Sequence, residues 1–155
     1  KYRVVYTTQT LSDYEVDHLH DEEANRIGAL IMHLAAAEVF YQIFTFEGRS
    51  EFNAEEKEKW EAALDLGSEA REKFKGKSIS YYLDIYDEVR AKTIAELEKR
   101  DDDWFKEIQP AYNWANQYCW FHVMEHQSSH LGQILFLKKR IPPEGEITLS
   151  DKIKD

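Results

Sequence analysis

Apolar residues recur at three- and four-residue intervals along most of this chain, which predicts helices nearly throughout. One helix is expected from about Arg26 to Phe46, capped by Asn25 and stopped by Gly48. Its inward seam reads Leu30, His33, Ala37, Phe40, Tyr41 and Phe44, and the run Ala35-Ala36-Ala37 lets a neighbour approach closely. Asn53 with Glu56 forms a capping-box pattern for a shorter, charged helix through Leu66, ended at Gly67. Ser78 or Ser80 opens a long helix to about Arg100, with Tyr82, Ile85, Tyr86, Val89, Thr93 and Leu97 inward. Asn113 caps a last long helix to about Arg140, stopped by Pro142 and Pro143. Lys138, Lys139 and Arg140 complement its C-terminal dipole.

The remainder reads as connection. Lys1 to Leu11 looks like the end of a helix, with a hint of strand-like alternation from Tyr2 to Thr8. Ser12 to Glu23 and Glu69 to Gly76 read as polar connectors, Asp101 to Asp103 as a solvated break, and the tail through Asp155 as polar. With six Gly and three Pro, breakers are scarce, so the expected class is all-α. At 155 residues the chain is expected to be one domain, 1–155, with its first helix truncated at Lys1. The expected core includes Leu30, Ile31, Phe44, Ile85, Val89, Val123, Ile134 and Leu137.

One pattern on the last helix goes beyond packing. His122, His126 and His130 recur every fourth residue, three of the six histidines in the chain. On a helix they stack along one face, rotated by about 40° per step. Cys119, Val123, Ile134 and Leu137 share that face. Imidazoles in an apolar seam lose hydration unless their nitrogens find partners, and one metal ion partners several at once. Residues four apart rise by about 6 Å, which two imidazoles can close around an ion, whereas about 12 Å across eight residues is too far. Either His122/His126 or His126/His130 therefore forms a pair. A third ligand comes from another helix, where His33 is the one histidine in mid-seam. His18 and His20 fall in a polar connector and are expected to face water.

Two other metal patterns fit less well. His122-Val-Met-Glu125-His126 matches the inverted zinc-peptidase motif, with Glu125 as base, but little chain follows it to supply the distant acidic ligand. A di-iron carboxylate bundle needs two Glu-x-x-His pairs, and only Glu15 with His18 qualifies. Cys119 could ligate or act as a nucleophile; the reading adopted is a small buried hydrophobe.

The net charge is −10 with no cluster of Lys and Arg, a field that disfavours nucleic acid and anionic membranes. No apolar run approaches the roughly 20 residues needed to span a bilayer. A single cysteine rules out an intrachain disulfide and fits a reducing, cytoplasmic compartment. A start at Lys1 is also compatible with a removed signal peptide.

Two blocks resemble the DinB-like family of metal-binding four-helix bundles. Ala24 to Glu38 (ANRIGALIMHLAAAE) is similar to the second-helix block of that family. His122 to Gln133 (HVMEHQSSHLGQ) is similar to its last-helix block, a His-x-x-x-His followed by x-Gly-Gln. The connector Leu11 to His18 (LSDYEVDH) adds to the likeness, which runs from Leu11 to Pro142. The resemblance implies a four-helix bundle with zinc or nickel held by His33, His126 and His130, selecting between the two pairs that spacing leaves open. Where the family often has a basic residue after the last ligand, Leu131 stands here. Members with assigned activity include thiol-dependent transferases and isomerases. The resemblance thus implies a small-molecule substrate of the low-molecular-weight thiol kind, and is compatible with a homodimer. Metal-assisted hydrolysis and a non-catalytic metal-binding bundle are the alternatives. Gln133, Glu38, Tyr41 and His122 are the candidates for a supporting shell.

Overall fold

The computed structural model describes residues 1–145. The described residues form eight helices and one very short hairpin: α1 (Tyr2–Thr8), α2 (Asp13–Asp17), α3 (Ile27–Phe46), α4 (Ala54–Asp65), α5 (Gly67–Lys73), α6 (Ile79–Leu97), α7 (Asp102–Lys106), β1 (Ile108–Gln109), β2 (Trp114–Ala115) and α8 (Asn116–Lys138). The all-α expectation holds. The polar tail from residue 146 onward lies outside the described residues.

α3 is the axis of the bundle, packed against α4, α6 and α8. It corrects the expectation about apolar runs, because its 20 residues are long and apolar enough to cross a bilayer. Yet 89% of that stretch is buried inside the protein, so its apolarity is accounted for by neighbouring helices. Leu30, Ile31 and Leu34 meet Tyr82, Tyr86 and Val89 of α6 and Ile134 of α8 in the larger core. Gly28 is needed here, since a Cβ would lie 2.5 Å from the Tyr82 ring. A second cluster joins Tyr41 and Phe44 to Cys119, Trp120 and Val123. Of the expected core, Ile85 and Leu137 are only partly buried.

Helix ends account for most differences from the expected boundaries. Arg26, not Asn25, is the N-cap of α3. Its guanidinium instead ties α2 to α5, donating to the carbonyls of Asp17 and Arg71. Ala115, not Asn113, precedes α8. Asn113 has φ 55° in the turn of the hairpin, a left-handed conformation that asparagine tolerates well. The hairpin pairs Ile108 with Ala115 and Gln109 with Trp114. Three expected connectors hold short helices. α2 opens on a reciprocal capping box between Ser12 and Glu15, α5 follows α4 almost directly, and Asp101 caps α7. Tyr2 to Thr8 is helix, not strand.

Candidate metal centre

α3 and α8 run antiparallel, so rising positions on one meet falling positions on the other. His33 meets His126 and His130, and further along Tyr41 meets His122, their rings 5.9 Å apart. The Nε2 atom of His126 lies 3.0 Å from Nε2 of His33 and 3.0 Å from Nε2 of His130. One ligand atom from each residue fits within a 4.8 Å cluster, an arrangement that could hold a metal ion. All three side chains are half-buried.

The outward nitrogens explain why the three Nε2 atoms converge. His33 Nδ1 is 3.0 Å from the carbonyl oxygen of Ala63 at the end of α4. A carbonyl only accepts, so this nitrogen carries the proton and the Nε2 lone pair faces inward. His130 Nδ1 sits 2.8 Å from Oε1 of Gln133, one turn on, and is oriented in the same way. Two lone pairs then face His126 Nε2, whose single proton can serve only one of them well. A cation satisfies all three. Zinc–nitrogen bonds of about 2.0–2.1 Å put tetrahedral ligands about 3.3 Å apart, so the two 3.0 Å separations at His126 need to open by only a few tenths of an ångström, within a cluster spanning at most 4.8 Å. Hydrogen bonds from the outer imidazole nitrogens are the usual support for such ligands.

Electrostatics keep the group neutral. Burial, then the charges of His130, His33 and His122, push His126 down to about 4 from its ordinary 6.5. Burial likewise lowers His33, opposed by its bond to Ala63. In metal-free protein the sign follows directly. Below 6.5 the unfolded chain binds a proton that native His126 refuses until about 4. The contribution of His126 to stability should therefore be flat above pH 6.5 and fall as pH drops through that window. Thermal melts of metal-free protein from pH 8 to 4 check this, and His126→Gln should flatten the slope.

The remaining candidates separate. Gln133 bonds His130 as described, and Tyr41 and His122 line a cavity beside His33 and His126. Glu38 does not join them. It lies roughly 140° round α3 from His33 and points to α6. There it is fully buried, paired with Arg90 at 2.6 and 2.8 Å and accepting from Thr93 at 2.6 Å. The Glu38 expectation is corrected on that geometry. His122 stays at the rim, its Nδ1 3.3 Å from exposed Glu125. The inverted-peptidase pattern is therefore not assembled. Cys119 is fully buried among aromatic side chains, and burial raises its thiol to about 11, so it is neutral packing. His18 and His20 do not simply face water; both are half-buried with ring centres 4.7 Å apart.

Among the described residues, one cavity is lined by the histidines and a larger one lies a turn further along α8, past His130. The smaller, about 230 Å³, is lined by His33, Ala37, Phe40, Tyr41, Leu64, His122 and His126. The larger, about 510 Å³, lies toward the C-terminal end of α8, with Glu23, Asn25, Ser129 and Gln133 among its walls. The Ala63 carbonyl and Arg90 lie outside the residues expected from the sequence. A backbone carbonyl carries no sequence signal, whereas Arg90 on the α6 seam opposite a buried glutamate does.

The family model described as mycothiol-S-transferase matches residues 2–142. That match agrees with the DinB-like resemblance. A search of curated proteins finds no match.

Proposed function

Because this chain belongs to the mycothiol-S-transferase family, we propose that it joins a low-molecular-weight thiol to an electrophilic carbon at a divalent metal site formed by His33, His126 and His130. The observation that carries this reading is the convergence of three Nε2 atoms, with two outer nitrogens already bonded. Zinc or nickel suits three imidazoles and leaves a position for an exogenous ligand. An ion held there supplies Lewis acidity, lowering the pKa of a bound thiol so that thiolate predominates near neutral pH.

The chain's own residues orient and shelter that chemistry. Ala63 and Gln133 fix the rings of His33 and His130. The larger cavity offers amide, hydroxyl and carboxylate groups but no cation among its lining residues. It fits a hydroxyl-bearing thiol better than an anionic one. Hydrolysis would need a free general base, yet Glu38 is committed to Arg90 and Glu125 stands exposed beside His122. A closed structural site would need a fourth protein ligand, and Cys119 sits in the separate aromatic cluster. Nucleic acid and membrane have no part in this reading.

The test is thiol addition to a neutral electrophile by protein stripped with a chelator and then reloaded. Activity should vanish on stripping, return with zinc or nickel, and rise with pH as the thiol ionises. Cys119→Ser should leave it largely intact. Stripped protein with undiminished activity would contradict the proposal.

A further inference from the structure

The smaller cavity differs from the larger in a way that bears on the second substrate. Ala37, Phe40 and Leu64 supply apolar walls, and His33 and His126 close one side. No lining residue is a carboxylate, an ammonium or a guanidinium. A charged molecule entering would shed water and gain no partner. An anion would also face the field of a chain of net charge −10. At about 230 Å³ the space is smaller than the roughly 300–1,000 Å³ of drug-sized sites, which suits one ring with a short substituent.

One polar group besides the imidazoles lines this space. Tyr41 is 7% exposed, and its hydroxyl, which is not among the fully enclosed polar atoms, has no protein partner among the described residues. A phenol O–H without a protein partner beside an apolar cavity offers one donor to a guest that brings one acceptor.

We propose that this cavity seats the electrophile, an uncharged apolar epoxide or enone about one ring in size, and that Tyr41 donates a hydrogen bond to its oxygen. The proposal rests on the transferase reading of the adjacent histidines. With an epoxide, the thiolate sulfur forms a bond to carbon and the carbon–oxygen bond breaks, its electron pair passing to oxygen. That oxygen then takes a proton from water. With an enone, sulfur bonds to the β-carbon, the π electrons shift to the carbonyl oxygen, and the α-carbon takes the proton. The thiol's own proton goes to solvent when it ionises, so the net reaction is addition without a leaving group. Tyr41 keeps its proton throughout and stabilises the negative charge growing on oxygen.

Binding can be read without turnover, using benzyl alcohol as an uncharged, unreactive guest and benzenesulfonate as its charged counterpart. Both are titrated by NMR into full-length protein, zinc-loaded and metal-free. Benzyl alcohol should bind at least tenfold more tightly than benzenesulfonate. Ala37→Phe, which fills the cavity, should weaken benzyl alcohol at least tenfold. Leu64→Trp serves the same end if Ala37→Phe does not fold. Tyr41→Phe should weaken it by about fivefold, the loss of one hydrogen bond. Equal binding of the sulfonate, or binding unchanged in the filled-cavity variants, would overturn the assignment. Turnover of styrene oxide separates the two claims. Thioether formation with an unchanged KM for styrene oxide in Ala37→Phe would refute the cavity alone. Absence of thioether despite benzyl alcohol binding would remove the transferase reading, and this occupant with it.

Discussion

Replacing His126 with alanine should strip the protein of its divalent ion, while His122→Ala should leave the ion in place. The two histidines sit one turn apart, and sequence alone hardly distinguishes them. In the structure His126 Nε2 is the hub, 3.0 Å from both His33 Nε2 and His130 Nε2. His122 instead faces Tyr41 and Tyr118 at the cavity rim and bonds exposed Glu125. Removing one of three ligands should cost on the order of a thousandfold in affinity, since the remaining pair no longer encloses the ion. Thiol transfer should vanish with it. Competition against a zinc-sensitive dye measures both variants on one scale. Equal losses in His122→Ala and His126→Ala would restore the inverted-peptidase arrangement.

The largest stability effect is expected on a different face of α3 from His33. Glu38 is fully buried on α3, and its carboxylate is held by Arg90 and Thr93 of α6, with Gln127 of α8 at 3.3 Å. Arg90→Met keeps much of the side-chain volume but leaves a carboxylate in the core without its counter-ion. Such a loss costs about 3–5 kcal/mol, because desolvation of the charge is no longer offset. For a domain of this size that is a fall of roughly 10 °C in Tm. The paired change Glu38→Gln with Arg90→Met should recover most of it, since no buried charge then remains. Zinc affinity should hardly change in folded protein, because Glu38 lies on the other side of α3. Urea denaturation of the single and double variants decides the matter. A single variant within about 1 kcal/mol of wild type would mean that water reaches Glu38.

Periodicity was enough to read the long helices, because α6 and α8 each bury a stripe set by the helical repeat and α3 is apolar nearly all round. It also placed His33 in mid-seam and gave the His126/His130 spacing. Cap residues were harder. Asn25 and Asn113 have the chemistry of N-caps, but Asn113 is used for its left-handed backbone and the cap of α3 falls on Arg26. The Ser12–Glu15 box was legible in sequence, yet its helix is only five residues long and carries no clear apolar period. Glu38 is near His33 along the chain but not in space, because five residues on a helix turn a side chain well away. The support of His33 by Ala63 depends on how α4 docks, which no local pattern encodes.

The central claim is that three imidazoles hold an ion with one position open to a thiol. X-ray absorption of zinc-loaded protein, before and after adding a small thiol, tests this most directly. Three nitrogen scatterers at about 2.0–2.1 Å plus one oxygen are expected first, and one sulfur at about 2.3 Å should replace the oxygen after addition. A first shell closed by four protein ligands, unchanged by thiol, would contradict the account.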